Sequence, residues 1–223
     1  YEMARAAAER GLEYMVVTDH TKRLAMTNGL DEKRIQAQWK EIDEVNKKIE
    51  KGHPRFKILK GTECDILKDG SLDLPDSILA RLDAVGVSVH SYFNLSRGEQ
   101  TERVKRAMQN PHVDILFHPT GRLIQKREPY EIDIDEIIAA AGRTGTILEI
   151  DAFPDRLDLK DEYIRKCVHA GVRMVIDSDA HAVGHLEYLE YGIAQARRGW
   201  ATREDIINAW PLEKMLSFLK TSK

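Results

Sequence analysis

Asp83-Ala84-Val85-Gly86-Val87-Ser88-Val89 runs directly into His90. The run is short, rich in β-branched residues and without charge after Asp83. It therefore reads as a strand covered on both faces, with an imidazole standing where the strand ends. Working outward, the same composition recurs. Tyr14–Thr18 precedes Asp19-His20, and Phe56–Gly61 followed by Thr62 precedes Glu63. Val113–Phe117 precedes His118, Thr146–Ile150 is a further strand, and Val172–Ile176 precedes Asp177-Ser178-Asp179-Ala180-His181. Helical patterns separate these runs. The longest spans Asp31 to Lys51, with Ile35, Trp39, Ile42, Val45 and Ile49 at helical spacing. Leu74-Pro75-Asp76 opens a short helix, and Thr101–Gln109 ends at Asn110-Pro111. Asp133–Arg143 stops near Gly142 and Gly145, and Lys160–Ala170 is closed by Gly171. Leu186–Arg198, Arg203–Asn208 and Pro211–Lys220 complete the predicted helices. Strand-then-helix order predicts a parallel sheet with helical crossovers. A closed barrel and an open doubly wound sheet both satisfy it.

With 223 residues and no linker-like stretch, the chain reads as one domain spanning 1–223. Hydrophobic residues make up 42% and charged residues 32%, the balance of a soluble globular chain with no membrane span. The net charge of −3 argues against a broad electrostatic grip on nucleic acid. A nucleic-acid substrate would have to be held locally, by metals and a few arginines. Cys64 and Cys167 form no disulfide framework and no CxxC, which suits a reducing cytoplasm. Both lie among apolar residues and read as packing groups. The first residues lack the apolar stretch of a signal peptide and an initiator Met, so the chain is expected to be a fragment of a longer one.

The chemistry is concentrated after the strands. Five apolar runs in series deliver an imidazole or a carboxylate at their C-terminal ends: His20, Glu63, His90, His118, and Asp179 with His181. In a β/α barrel these ends converge on one rim, where active sites are built. Mixed imidazole and carboxylate donors suit Zn²⁺, Mn²⁺ or Fe, and the absence of thiolates argues against a structural zinc site. A lone His after a strand is more often a loop or core residue; the series carries the weight here. His53, His112 and His169 fall at helix ends or in connections, and His185 reads as a surface residue or one that supports a ligand.

The segments Val17-Thr18-Asp19-His20, Leu59–Leu67, Gly70–Pro75, Ser88-Val89-His90-Ser91, His118-Pro119-Thr120-Gly121-Arg122, Pro154–Leu159 and Asp177–His181 together resemble the polymerase-and-histidinol-phosphatase (PHP) domain. Asn28-Gly29-Leu30, the stretch around Asn110–Leu116, and Arg197-Arg198-Gly199-Trp200 fit the branch attached to the C-terminus of bacterial and archaeal family X DNA polymerases. The resemblance covers essentially the whole chain. It implies a distorted TIM-like (βα)7 barrel, a cluster of up to three divalent transition metals, and His20, Glu63, His90, His118, Asp179 and His181 as ligands. The family's first motif, His-x-His on an early strand, is missing; it would lie upstream of Tyr1. The expected fold is thus a barrel lacking its first strand, with an open edge.

Phosphoester hydrolysis needs a nucleophile at neutral pH and neutralisation of phosphoryl charge, and clustered metals supply both. Glu63, His118 and Asp179 are the residues expected to carry catalysis, with Glu63 as a bridging carboxylate. Asp19 is placed to orient its neighbour His20 by hydrogen bonding. Arg122, Arg156 and Lys22 are candidates to meet a substrate phosphate, with a rim-stiffening ion pair as the competing role for the arginines. Glu149 and Asp151 end their strand on the same rim, where pairing with an arginine is the simpler role. Trp39, Trp200 and Trp210 are expected to pack. The leading function is a 3′–5′ exonuclease or other DNA 3′-end processing beside an upstream polymerase domain. The alternatives are a stand-alone phosphatase of a small phosphomonoester such as histidinol phosphate, and a non-catalytic structural or DNA-positioning domain. Oligomeric state is not legible.

Overall fold

The computed structural model describes residues 1–221. Six parallel strands pair in sequence order: β1 (Tyr14–Val17), β2 (Lys57–Asp65), β3 (Ala84–Ser88), β4 (Ile115–Leu116), β5 (Ile147–Asp151) and β6 (Met174–Asp177). The sheet curls into a half-barrel. Helices α1 (Glu2–Glu9), α2 (Glu32–Ile49), α3 (Asp76–Leu79), α4 (Arg97–Met108), α5 (Ile134–Thr144), α6 (Asp161–Ala170), α7 (Leu189–Arg198) and α8 (Leu212–Thr221) complete it. No helix among the described residues is long and apolar enough to cross a membrane.

Several boundaries shift for local reasons. Helix α1 went unassigned in the sequence reading; it is alanine-rich and buries Ala4 and Ala7. Strand β2 continues past Gly61 to Asp65, because Gly61–Asp65 pair with Ala84–Ser88. Helix α4 starts at Arg97 rather than Thr101: the Ser96 hydroxyl accepts from the Glu99 N–H while the Glu99 carboxylate accepts from Ser96 N–H, a capping box. The helix expected over Arg203–Asn208 is replaced by a turn in which Asp205 accepts from Thr202, followed by a 3-10 turn at Ile207–Ala209. Asn208 uses its side-chain amide instead, accepting from Ile176 N–H and donating to Ile176 C=O, so it covers the outer edge of β6.

Strand periodicity explains how one sheet serves two purposes. Outward residues such as Cys64, Val85, Val87, Leu116, Leu148, Ile150 and Ile176 pack in the main core with the helices. Both cysteines are free and lie in that core, and burial pushes their thiols up to about 12. Inward residues begin apolar: Val16, Leu59, Ala84, Ile115, Ile147 and Val175 form a second core, closed below by Trp210, Met215 and Leu219. Continuing up the same inward faces, the period of two delivers His20, Glu63 and Asp65, Ser88 and His90, Glu149 and Asp151, and Asp177. Gly86 lies among these inward positions because a Cβ there would stand 1.8 Å from the Phe117 ring. A cavity of about 780 Å³ runs from the rim residues His20, Glu63, His118 and Asp179 down to Trp210, walled by β1 on one side and β6 on the other. Within the described residues, β1 pairs only with β2, so its other edge is free.

Candidate metal centre

Three imidazoles from three strand ends meet one buried carboxylate. His118 Nε2 lies 2.9 Å and His90 Nε2 3.1 Å from Glu63 Oε1, and His20 Nδ1 lies 3.2 Å from Glu63 Oε2. The rings of His20 and His90 are 4.8 Å apart between centroids, and those of His90 and His118 are 5.2 Å apart. Parallel register accounts for the convergence: Glu63 bridges His20 across the β1–β2 seam, and β2 and β3 align Glu63 with Gly86, four residues before His90. His118 follows Phe117, which already faces inward, so alternation alone would turn its side chain away. Its φ of 29° breaks the alternation, and Asp179 is likewise left-handed at φ 45°. Such conformations cost of order 1–3 kcal/mol and concentrate where a side chain must be aimed.

Asp179 and His181 line the same cavity but stand outside the tight imidazole–carboxylate group. Asp179 Oδ2 is 3.8 Å from Arg156 Nε, and His181, still largely exposed, turns Nδ1 toward the Asp179 carbonyl at 2.8 Å. His185 supports this turn: its Nδ1 accepts from the His181 backbone N–H at 3.3 Å, and its ring stacks on Tyr188.

The site's electrostatics favour a cation. Burial would raise Glu63, but hydrogen bonds from His118 and His90 hold it well below the usual carboxylate range. Burial opposes protonation of His90, yet Asp65 and Glu63 outweigh it and lift the imidazole to about 9. Burial pulls His118 down. Behind them, burial and the neighbouring Asp177 and Asp151 push Glu149 well up, and burial with Asp177 and Asp179 does the same to Asp151. Asp177 rises to about 7, chiefly from burial. Several acids crowded in a low-dielectric site cannot all ionise without a compensating charge, and the one arginine in contact, Arg156, reaches Asp151 at 3.2 Å. His118 Nδ1 and Asp65 Oδ2 are buried without a hydrogen-bond partner, and His20 Nδ1 and Asp151 Oδ2 have only their ion-pair contacts to Glu63 and Arg156. Ligand atoms of His20, Glu63 and His90 lie within 4.8 Å of one another, in a site rich in buried carboxyl groups, a donor set that fits a divalent cation, with His118 beside it on Glu63.

The supporting groups differ from those the sequence singled out. Asp19 turns its carboxylate to Gln38 on α2 rather than to His20, while its carbonyl accepts from the Glu63 N–H at 3.0 Å. The carboxylate that reaches an imidazole of the cluster is Asp65, whose Oδ1 lies 3.0 Å from His90 Nδ1. The signal was present in the spacing, since Glu63 and Asp65 share one face of β2. Asp177 was likewise passed over in favour of Asp179. Asp151 does pair with an arginine, whereas Glu149 accepts from the His118 backbone N–H. Arg122 donates to the carbonyls of Arg156 and Leu157, so it braces a rim loop, and Lys22 is paired with Glu32 at 2.5 Å. Arg156 keeps a buried Nη1 with no hydrogen-bond partner. Trp39 and Trp210 pack as expected; Trp200 is 62% exposed, with Arg165 over its ring.

No family model matches the chain. It is 45% identical over 219 residues to the DNA polymerase/3′-5′ exonuclease PolX of Bacillus subtilis, covering 98% of this chain and 38% of that protein. It is 29% identical over 232 residues to a probable phosphatase of Thermoanaerobacter sp., covering 100% of this chain and 88% of the relative. A probable phosphatase of Acetivibrio thermocellus is 31% identical over 188 residues, covering 81% of this chain and 71% of its own. The chain therefore belongs to the family of these probable phosphatases.

Proposed function

We propose that the chain is a PHP-type, metal-dependent phosphoesterase that removes nucleotides from a DNA 3′ end, as part of a polypeptide that also carries a polymerase domain. The observation that carries this reading is the convergence of His20, His90 and His118 on Glu63. The similarity to a polymerase/exonuclease supports the choice of DNA.

Zn²⁺, Mn²⁺ or Fe bound in this site would supply acidification of water and neutralisation of phosphoryl charge. His20, Glu63, His90 and His118 would hold it, with Asp179 and His181 contributed by the loop after β6. Asp65 fixes the tautomer of His90 by occupying its Nδ1 side. Arg156 offers its unpartnered Nη1 to a phosphate oxygen while Asp151 keeps the guanidinium in place. Arg122 and Lys22 are held by other partners and act on phosphate only if substrate displaces them.

A second reading, hydrolysis of a small phosphomonoester, is favoured by the probable phosphatases among the relatives. Incubation with Mn²⁺ and a 3′-labelled single strand, in parallel with histidinol phosphate, separates the two. Stepwise loss of the label, abolished in His118→Ala and Asp179→Ala variants that still fold, is the expected result. Release of phosphate from histidinol phosphate with an intact oligonucleotide would give the second reading preference.

A further inference from the structure

The rim beside β1, β2 and β3 carries a feature that the hydrolytic site does not use. Tyr92 lies two residues beyond His90, is 37% exposed, and is held at φ 57°. Three cations surround its ring: Arg23 Cζ at 5.8 Å, Lys68 Nζ at 5.7 Å and Arg103 Cζ at 5.7 Å from the centroid. Arg23 also donates to the Tyr92 hydroxyl at 2.9 Å. Arg103 is the structural member. It is 3% exposed and donates to the carbonyls of Ile66, Leu67 and Ser91, so it bolts the loop after β2 to the loop after β3 beneath the ring.

Arg23 and Lys68 are different. Both are exposed, and among the described residues neither side chain has a carboxylate within ion-pair distance. The acids nearby serve the local backbone: Asp73 accepts from the Arg23 N–H, Asp69 from Ser71, and Glu99 from Ser96. In a chain of net charge −3, two exposed cations, neither held in an ion pair among the described residues, flank a partly exposed aromatic ring and form a local concentration of the groups that bind single strands. Their position matters as much as their chemistry. Arg23 follows His20 by three residues and Lys68 follows Glu63 by five, so the patch borders the candidate metal centre; two residues span at most about 7 Å.

We infer that Tyr92, Arg23 and Lys68 form a track for the single-stranded nucleotides that precede the scissile 3′ end: a base stacks on the exposed part of the Tyr92 ring, and flanking phosphates meet Arg23 and Lys68. The inference rests on the exonuclease reading and names the residues that would make the site prefer a polynucleotide over a small phosphoester.

The test uses the full-length protein with Mn²⁺ and two substrates, a 3′-labelled ten-nucleotide single strand and bis(p-nitrophenyl) phosphate. Asn tolerates the left-handed backbone, so Tyr92→Asn removes the ring without forcing the loop. Tyr92→Asn is expected to raise KM for the oligonucleotide about tenfold and to lower the oligonucleotide-to-small-diester ratio of kcat/KM accordingly. Tyr92→Phe, which keeps the ring, should largely restore that ratio. Arg23→Gln combined with Lys68→Gln should flatten the slope of log kcat/KM against log salt by about 1.4, two single-strand phosphate contacts at about 0.7 each. If the unaltered protein degrades the oligonucleotide and the variants match it, the track is overturned while the exonuclease reading stands. A parallel loss on both substrates would assign these residues to the framework of the site and also overturn the track. If the unaltered protein hydrolyses the small diester but leaves the oligonucleotide intact, the exonuclease reading and the track fall together.

Discussion

Asp65→Asn isolates the contribution of a side chain that is not expected to touch substrate. Asp65 is 2% exposed; its Oδ1 lies 3.0 Å from His90 Nδ1, and its Oδ2 is buried without a partner. Asn preserves size and an acceptor oxygen but removes the charge. In the metal-free protein, Asp65 and Glu63 are what lift His90 to about 9 against the effect of burial. Loss of one of the two should lower the His90 titration from about 9, readable from its ring resonances. Loss of a carboxylate behind a metal-ligating His typically weakens metal binding 10–100-fold, or about 1.4–2.8 kcal/mol. Competition against a chelator for Mn²⁺ or Zn²⁺ should therefore show the dissociation constant rising by that factor, with kcat recovering at saturating metal. Unchanged metal affinity, with His90 titrating as before, would refute the assignment of Asp65 as the group that orients His90.

Asp19→Asn should weaken metal binding less than Asp65→Asn, because its carboxylate faces Gln38; equal effects would contradict that distinction. The metal-free protein should lose stability as pH rises. Asp177, raised to about 7, costs stability progressively above the ordinary carboxylate range near 4, and the support from His90 is lost between 6.5 and about 9. Thermal melts at pH 5.5 and pH 8.5 should differ in that direction, and added Mn²⁺ should narrow the gap; a metal-free protein more stable at pH 8.5 would be inconsistent. Arg156→Gln should raise KM for a phosphoester at least about tenfold through loss of a charge-assisted contact, and an unaltered KM would remove Arg156 from the substrate site. Gly86→Ala places a methyl 1.8 Å from the Phe117 ring and should cost about 1–3 kcal/mol in urea unfolding, with an unchanged m value.

Much of this architecture was legible because strands covered on both faces announce themselves as continuous apolar runs. The residue after each run then identified the rim. Alternation along a strand was the part left unread. Counting by twos from Leu59 reaches Glu63 and Asp65, and from Ile147 reaches Glu149 and Asp151, so the inner acidic layer was present in the spacing. His118 and Asp179 obey no such count, since their left-handed backbones are set by tertiary packing. The partners of Lys22, Asp19 and Arg122 were also beyond reach, because each depends on which neighbouring loop or helix arrives beside it. Helix α1 was readable too, since its buried Ala4 and Ala7 stand at helical spacing against charged neighbours, as was the Ser96–Glu99 capping box that sets the start of α4.

The most direct measurement is anomalous diffraction from crystals of the protein grown with Mn²⁺. A peak bounded by His20, Glu63, His90 and His118, with Asp65 still on the far nitrogen of His90, is the predicted result. Protein saturated with Mn²⁺ that shows no density there, or a peak elsewhere with these four side chains still bonded only to one another, would contradict it.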